Sequence, residues 1–246
     1  MHATIGGGSN ESAYAEDTVM RDAADAEPVV FILDCDNTLL DNDALKADLD
    51  AQIHALLGDA RAEQFWRVYE EVRLATGTVD FPLTLERFRP ILGDDPLLEC
   101  VHAIIFDYPF ASRLYPDTLA TLRHLQTIGS PVIVSDGDIV YQPLKIARSG
   151  LAAAVDEQVA IYIHKEAHLD EIVARWSAPI YVMVDDKARI LSATKARMPQ
   201  RFVTVHIRQG HYGLDPHAYT PAPDLSLDAI GDLRHLSRDD LRRYLG

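Results

Sequence analysis

Five short, mainly apolar runs constrain the fold of this chain more than any other feature of its sequence. Each is five or six residues long, and they lie at 29–33, 131–135, 159–163, 180–184 and 202–207. Such runs are typical of strands that are buried on both faces of a parallel sheet. Between the later runs the sequence favours helices, at 116–128, 141–149, 166–176 and 187–198. Because helical crossovers join parallel strands, we predict an α/β fold with a Rossmann-like parallel sheet flanked by helices.

The segment from 41 to 107 has a different pattern. Its apolar residues recur every three or four positions, which is typical of amphipathic helices. We therefore predict a small helical cap domain at 41–107, inserted after the first strand of a core domain formed by 28–40 and 108–246. The last 25 residues favour a short edge strand and a closing helix. Residues 1–27 are acidic, contain little apolar bulk and are predicted to form a flexible leader.

The charge of the chain limits its partners. The formal net charge of its 246 residues is −15, whereas nucleic acids and anionic membrane surfaces are bound through clustered lysine and arginine. We therefore expect no nucleic-acid or membrane partner and favour a small molecule. The low cysteine count, the lack of a long apolar run and the absence of a signal-like N-terminus together favour the cytoplasm.

Polar residues with catalytic potential follow four of the predicted strands. In chain order they are Asp34 and Asp36, Ser135 and Asp136, His164 and Lys165, and Asp185 and Asp186. Open parallel sheets bind ligands beyond the carboxyl ends of their strands, so these side chains are expected to meet at one edge. A single polar residue there is usually a helix cap or a turn residue, but a set from four segments indicates a site.

The carboxylates in this set require a cation. Asp34 and Asp36 are two positions apart, so in an extended segment both point to one side while Cys35 points back into the protein. Adjacent carboxylates resist ionisation unless they share a proton or bind a cation, and Asp185 and Asp186 add negative charge. Mg²⁺, a hard ion that prefers oxygen ligands, is the expected cofactor. A metal beside a lysine and a hydroxyl suits a phosphoryl group.

The pattern of these residues resembles the haloacid dehalogenase-like (HAD) superfamily. Its first motif, usually Asp-x-Asp-Gly-Thr, is similar to residues 34–38, and its other three motifs are matched by Ser135, Lys165 and the pair Asp185 and Asp186. The four motifs are separated by 101, 30 and 20 residues, and the long first interval resembles that of members with a helical cap. Asn37 replaces the usual glycine, and asparagine tolerates the left-handed backbone conformation better than most residues.

The resemblance implies a phosphatase that hydrolyses a small phosphorylated metabolite through an aspartyl-phosphate. Asp34 would attack phosphorus, and Asp36 would protonate the leaving oxygen and later take a proton from water. Lys165 would neutralise the phosphate and Asp34, and the substrate-binding residues would be Ser135, Asp136 and Lys165. The implied Mg²⁺ ligands are Asp34, the backbone carbonyl of Asp36, Asp186 directly and Asp185 through a water.

Other functions within the superfamily stay open at this point. A phosphotransferase or mutase would use the same residues, and a catalytically idle binding protein would keep the fold without the reaction. Members that cleave carbon–halogen bonds lack a carboxylate at the position of Asp36, so its presence favours phosphate esters.

Several further residues are weaker candidates. Lys145 and Lys187 compete with Lys165 for the lysine role, but we expect both on solvated helix faces. His164 is expected to be structural. Four cap residues are candidates for contacting the non-phosphate part of the substrate: Arg73, Arg87, Arg89 and Trp66. The alternative is that the arginines lie on solvated helix faces and that Trp66 lies in the core of the cap. The segment 208–212 is a candidate for reaching the site from the last strand.

Overall fold

The computed structural model of the protein describes residues 28–93 and 95–244. Within them six parallel strands form one sheet in the order β3-β2-β1-β4-β5-β6. The strands are β1 (Val29–Leu33), β2 (Ser130–Asp136), β3 (Val159–Tyr162), β4 (Ile180–Asp185), β5 (Phe202–Ile207) and β6 (Leu225–Leu227). The predicted α/β fold with a parallel sheet is confirmed, while the predicted leader at 1–27 lies outside the described residues.

The central strand β1 is buried on both faces, as its apolar run predicts. All five of its side chains are buried, with Phe31 and Leu33 in a different apolar cluster from Val30 and Ile32. Each fully buried aliphatic side chain contributes about 1.5–3 kcal/mol relative to an exposed one. The register pairs Leu33 with Ile133 of β2 and with Val184 of β4. The residues that follow these three strands therefore emerge side by side at one edge of the sheet.

Helices cover the two faces of the sheet. After the first strand and its inserted segment they are α5 (Thr118–Ile128), α6 (Tyr141–Arg148), α7 (Leu151–Ala154), α8 (Leu169–Arg175), α9 (Ala188–Arg197), α10 (Gly210–Gly213) and α11 (Arg238–Arg242). The helix predicted at 166–176 instead begins with a 3₁₀ turn, Lys165–Ala167, and continues as α8. The reason is local, since His164 has a φ of 61° and reverses the chain direction immediately after β3.

The inserted segment contains four helices, as its periodicity predicts. They are α1 (Asn42–Leu57), α2 (Asp59–Thr76), α3 (Phe81–Leu92) and α4 (Leu97–Phe106). The carboxylates of Asp41 and Asp80 cap α1 and α3 by accepting hydrogen bonds from Ala44 N at 2.9 Å and Leu83 N at 2.8 Å. Phe81, at the start of α3, packs edge-on against the buried ring of Tyr141 on α6, with the ring centroids 4.7 Å apart.

The chain ends much as the last residues predict. Strand β6 extends the sheet at its edge, and a 3₁₀ helix at Ile230–His235 precedes the closing helix α11. None of the helices in the described ranges is both long and apolar enough for a membrane crossing. Cys35 is buried and Cys100 is exposed, and neither forms a disulfide.

Candidate active site

The turn that follows β1 is fixed by the side chain of Asn37. This residue adopts the left-handed conformation with a φ of 57°, as expected for asparagine in place of glycine. Its Oδ1 accepts hydrogen bonds from the backbone N–H groups of Asn42 and Asp43 at 3.1 and 3.2 Å. The backbone of Gly210 lies so close that a Cβ there would be 2.4 Å from Cγ of Asn37. The turn that carries both motif aspartates is therefore locked to the start of α1.

Asp34 lies at the centre of a buried group assembled from four strand ends. Its Oδ1 accepts hydrogen bonds from Lys165 Nζ at 2.5 Å and from Ser135 Oγ at 3.3 Å. The same ammonium lies 2.6 Å from Oδ2 of Asp185 and donates to the carbonyl of Val134 at 3.1 Å. Burial alone raises the pKa of Asp34, but Lys165 and Lys187 outweigh it, so that pKa lies below its usual value.

Three carboxylates, Asp34, Asp185 and Asp186, form what we call the carboxylate cluster. One oxygen of each lies within 4.8 Å of the others, and all three residues are buried. Asp34 Oδ2 and both carboxylate oxygens of Asp186 are buried and have no hydrogen-bond partner in the described part of the chain. Burial, then Asp185 and Asp34, raise the pKa of Asp186 to about 9. Oxygen ligands at this spacing fit a hard divalent cation, whose positive charge would offset that rise in pKa.

The two residues of the acidic pair differ in what surrounds them. Both oxygens of Asp185 already have a neighbour, since Oδ1 accepts from the backbone N–H of Lys187 at 2.8 Å and Oδ2 lies 2.6 Å from the ammonium of Lys165, in an ion pair without hydrogen-bond geometry. The backbone carbonyl of Asp186 lies 3.0 Å from Nε2 of His206, while its carboxylate is left free. Of the pair, Asp186 therefore has the ligand atoms available for a direct metal bond.

The second motif aspartate, Asp36, turns away from the carboxylate cluster toward helix α6. Its Oδ1 accepts a hydrogen bond from Lys145 Nζ at 2.5 Å, and its Oδ2 lies 3.4 Å from Gln142 Nε2. Gln142 also donates to Ser135 Oγ at 2.9 Å, and Lys145 also donates to Asn42 Oδ1 at 3.2 Å. Asp34 and Asp36 thus face one site, but each has a lysine of its own.

The expectation that Lys145 and Lys187 lie on solvated helix faces is wrong. Lys145 is only 2 % exposed, because α6 turns it inward onto Asp36. Lys187 precedes α9, is half-buried, and has its ammonium 5.3 Å from the centre of the Tyr212 ring. Burial lowers the pKa of Lys187, but Asp34 and Asp185 outweigh it and raise that pKa. Lys165 still occupies the place expected of the motif lysine, as it alone binds Asp34.

Other predicted residues lie at or beside the site. The carboxylate of Asp136 accepts from the backbone N–H of Lys165 at 2.8 Å, so it fixes the turn that presents this lysine. His164 is exposed and borders the crevice described below. Cys35 is fully buried on the far side of the turn, as expected, and burial together with the Asp36 charge raises the pKa of its thiol.

A crevice of about 680 Å³ opens above these residues, between the sheet edge and helices α1 to α3. From the inserted helices it is lined by the aromatic Tyr69 and by Lys46 and Arg73, among others. His211 and Tyr212 line it too, so the segment 208–212 does reach the site. The other cap candidates lie outside its lining: Trp66 packs against Tyr69 and Phe65, and Arg87 and Arg89 lie elsewhere on α3.

Two of the residues that sequence reasoning placed wrongly or missed, Lys145 and Gln142, come from α6. Its buried side chains are Tyr141, Gln142, Lys145 and Ile146. The available signal was that Gln142 and Lys145 are three positions apart, on the helix face that also carries Tyr141 and Ile146. A helix face with such apolar residues points toward the protein interior.

Comparison with known proteins identifies one strong relative. A solved haloacid dehalogenase-like hydrolase from Burkholderia xenovorans LB400 shares 45% sequence identity with this chain, and the match covers 88% of this chain and 99% of that chain with a TM-score of 0.80. No protein-family model and no curated protein matches the chain.

More distant structures share the fold alone. The HAD-hydrolase YfnB from Bacillus subtilis, described as bound to magnesium, has 13% identity over 85% of this chain and 98% of that chain, with a TM-score of 0.54. A dehalogenase with an intermediate complex has 20% identity over 86% of this chain and 97% of that chain, with a TM-score of 0.59. These structures show that the fold recurs, and the likeness covers most of this chain.

Proposed function

Because this chain belongs to the haloacid dehalogenase-like hydrolases, we propose that it is a Mg²⁺-dependent phosphatase of a small phosphate monoester, acting through an aspartyl-phosphate on Asp34. The observation that carries the proposal is the carboxylate cluster, in which three buried carboxylate oxygens on Asp34 and Asp186 lack a partner among the described residues. Buried, unpaired carboxylates are costly unless a cation binds them. A cation there would lie next to the nucleophile.

The metal would be held by this chain's own oxygen atoms. Asp34 and Asp186 have free carboxylate oxygens for it, and Asp185, bound to Lys165 and Lys187, would act through a water. The backbone carbonyl of Asp36 completes the set that the family resemblance implies. When bound, the ion supplies positive charge to the oxygens of the transferring phosphoryl group.

The reaction would proceed by two displacements at phosphorus. Asp34 attacks, a bond from its carboxylate to phosphorus forms, and the bond from phosphorus to the leaving oxygen breaks while Asp36 gives that oxygen a proton. A water then attacks phosphorus, its proton passes to Asp36, and the bond to Asp34 breaks. The products are an alcohol and inorganic phosphate, and both aspartates return to their starting states.

Ser135 and Lys165 are placed to assist Asp34. The ammonium of Lys165 is 2.5 Å from Oδ1 of Asp34 and is fully buried, so it can offset charge on both the nucleophile and the phosphoryl group. The hydroxyl of Ser135 lies 3.3 Å from the same oxygen. Asp136, the third residue proposed to bind the substrate, also accepts a hydrogen bond from the backbone N–H of Lys165 and so supports the position of that lysine.

The four inserted helices would act as a cap, with 41–107 as its extent. They form one wall of the crevice, and closure over a small substrate would exclude water from the phosphoryl group. Arg73 and Tyr69 on α2 are the cap residues placed to contact the leaving group. A small phosphorylated metabolite suits the size of the crevice.

Carbon–halogen hydrolysis is the alternative that the distant dehalogenases raise. A halide leaves without a proton, so that reaction has no use for Asp36 or for a lysine and a glutamine that hold it. Transfer to another acceptor would use the same residues as hydrolysis. Acceptor dependence separates them, because a phosphatase releases phosphate with water alone.

The test is phosphate release from a panel of phosphorylated metabolites by the purified protein, with and without Mg²⁺. We expect release from at least one compound, dependent on Mg²⁺ and lost in Asp34→Asn. Asp228→Asn is the matched control, as its exposed carboxylate pairs with Arg208 and lies outside the crevice. Release from no compound, or equal release by Asp34→Asn, would overturn the proposal.

A further inference from the structure

Helix α6 presents a buried lysine to the site that the four motifs do not account for. Lys145 is 2 % exposed, and its ammonium lies 2.5 Å from Asp36 Oδ1 and 3.2 Å from Asn42 Oδ1. A buried ammonium is unfavourable unless it is paired and hydrogen-bonded, and both conditions are met here. A lysine of α6 without a partner in the site would point toward solvent.

The two buried lysines of the site have separate partners. Lys165 contacts Asp34 and Asp185, while Lys145 contacts Asp36 and the first residue of α1. Charge on the carboxylate cluster is therefore offset without Lys145. Lys145 instead pairs with Asp36, the residue proposed to transfer the proton.

The contacts divide the two oxygens of Asp36 between different roles. Oδ1 is anchored by the short bond from Lys145, whereas Oδ2 has only a long contact, 3.4 Å, to Gln142 Nε2. The Asp36 side chain is 24 % exposed and borders the crevice. With Oδ1 anchored, Oδ2 is the oxygen free to give a proton to a leaving group and to take one from water.

We propose that Lys145 is a positioning residue that orients Asp36 for proton transfer and ties that orientation to helix α1 through Asn42. This inference rests on the proposed phosphatase function and deepens it. Lys145 itself need not touch the substrate. Its removal would leave the nucleophile, the carboxylate cluster and Ser135 in place, but would free Asp36 to rotate.

The test compares two leaving groups in the same variants. A nitrophenolate leaves without a proton near neutral pH, whereas an alkoxide needs one, so only the alkyl ester depends on Asp36 for its first step. We expect Lys145→Met to lower kcat/KM for the best alkyl phosphate at least about tenfold more than kcat/KM for nitrophenyl phosphate. The constant kcat/KM reports the step up to phosphoryl transfer, before water attacks.

Two further variants show whether Lys145 acts through Asp36. In Asp36→Asn the loss on the alkyl ester should be larger, and adding Lys145→Met to it should change the rate little, because the two residues act as a unit. Lys195→Met is the matched control, since it removes another largely buried lysine that pairs with Asp224 at 2.8 Å away from the crevice. It should change the ratio of the two substrates by less than about twofold.

The outcomes separate this inference from the function on which it rests. No phosphate release by the unaltered protein would overturn both. Activity in the unaltered protein with equal losses on the two esters in Lys145→Met, or losses that add to those of Asp36→Asn, would overturn the role of Lys145 alone. If melting shows that Lys145→Met does not fold, Asn42→Ala decides, because it removes the second anchor of the ammonium; an unchanged substrate ratio there would contradict the inference.

Discussion

The two aspartates of the first motif lie in different environments, although they are two residues apart. Asp34 belongs to a buried group whose members lie at the ends of strands, with Lys165 as the compensating charge. Asp36 faces a half-open crevice and is held by side chains of helix α6. On the proposed function, the buried region would hold the nucleophile and the metal in place, and the crevice would let Asp36 exchange protons.

The largest expected effect comes from removing a metal ligand in the buried region. Asp186→Asn keeps the shape of the side chain but removes the charge that a divalent ion requires, so we expect kcat/KM to fall more than about 100-fold. The midpoint of thermal unfolding should also stop responding to Mg²⁺. Phosphatase assays and melting curves at increasing Mg²⁺ measure both. An Asp186→Asn protein that Mg²⁺ stabilises as well as the unaltered one would place the metal elsewhere.

The two lysines should differ in how Mg²⁺ compensates for their loss. Lys165→Met leaves two buried carboxylates, those of Asp34 and Asp185, without their ammonium and should cost about 3–5 kcal/mol of unfolding free energy. Saturating Mg²⁺ should restore part of this, since it brings positive charge to the same cluster. Lys145→Met should cost less, because Asp36 is partly exposed, and should recover nothing. Denaturant unfolding with and without Mg²⁺ measures how much unfolding free energy each variant regains. Equal gains in both variants would contradict the predicted difference between the two lysines.

The buried region should also couple metal binding to pH. The pKa of Asp186 is raised to about 9, so at neutral pH the metal-free folded protein holds a proton that the unfolded chain has released. The metal-free protein therefore loses stability as pH rises from the usual aspartate range toward 9. Mg²⁺ must displace that proton, so its affinity should rise by up to about tenfold per pH unit over the same range.

Melting curves at about pH 6 and about pH 8 test this coupling, with the Mg²⁺-induced rise in midpoint larger at the higher pH. Asp186→Asn supplies the control, since its midpoint should show no Mg²⁺-induced rise at either pH. Equal Mg²⁺ effects at both pH values would show that no proton is released from the cluster.

The smallest expected effect concerns the turn that joins the two regions. Asn37→Gly removes the side-chain acceptor for two N–H groups at the start of α1, but glycine adopts the left-handed conformation without strain. The two effects partly offset, and we expect a loss of about 0.5–1 kcal/mol in unfolding free energy with activity retained. Asn37→Ala, which loses the acceptor and keeps the strain, should be less stable than Asn37→Gly in the same denaturant measurement. The reverse order would show that the turn tolerates a Cβ at no cost.

The same contrast explains what could be predicted from the sequence. Strand ends are readable, because an apolar run of five residues indicates both the strand and the residue at its end. This pattern predicts that Asp34, Ser135, Lys165 and the acidic pair meet at one edge of the sheet, and their side chains do lie together there. The inserted helices were readable from periodicity alone. Neither signal shows how a helix is oriented about its own axis once it packs against the rest of the protein.

The position of Lys145 illustrates what was not readable. A lysine in a helix is usually solvated, and only the packing of α6 against the turn after β1 brings its ammonium to Asp36, 109 positions earlier in the chain. Lys187 was misplaced for a related reason, because its burial depends on Tyr212 and on the carboxylate cluster. Contacts between residues this far apart arise from tertiary structure, which local patterns do not encode.

The central claim is that phosphorus becomes covalently bound to Asp34, and chemical trapping tests it most directly. The protein is mixed with Mg²⁺ and its best substrate, quenched during turnover and treated with borohydride, which reduces an acyl phosphate to an alcohol. Peptide mass spectrometry should then show homoserine at position 34, dependent on substrate and absent from Asp34→Asn. Phosphate release with Asp34 unmodified throughout turnover would contradict the account.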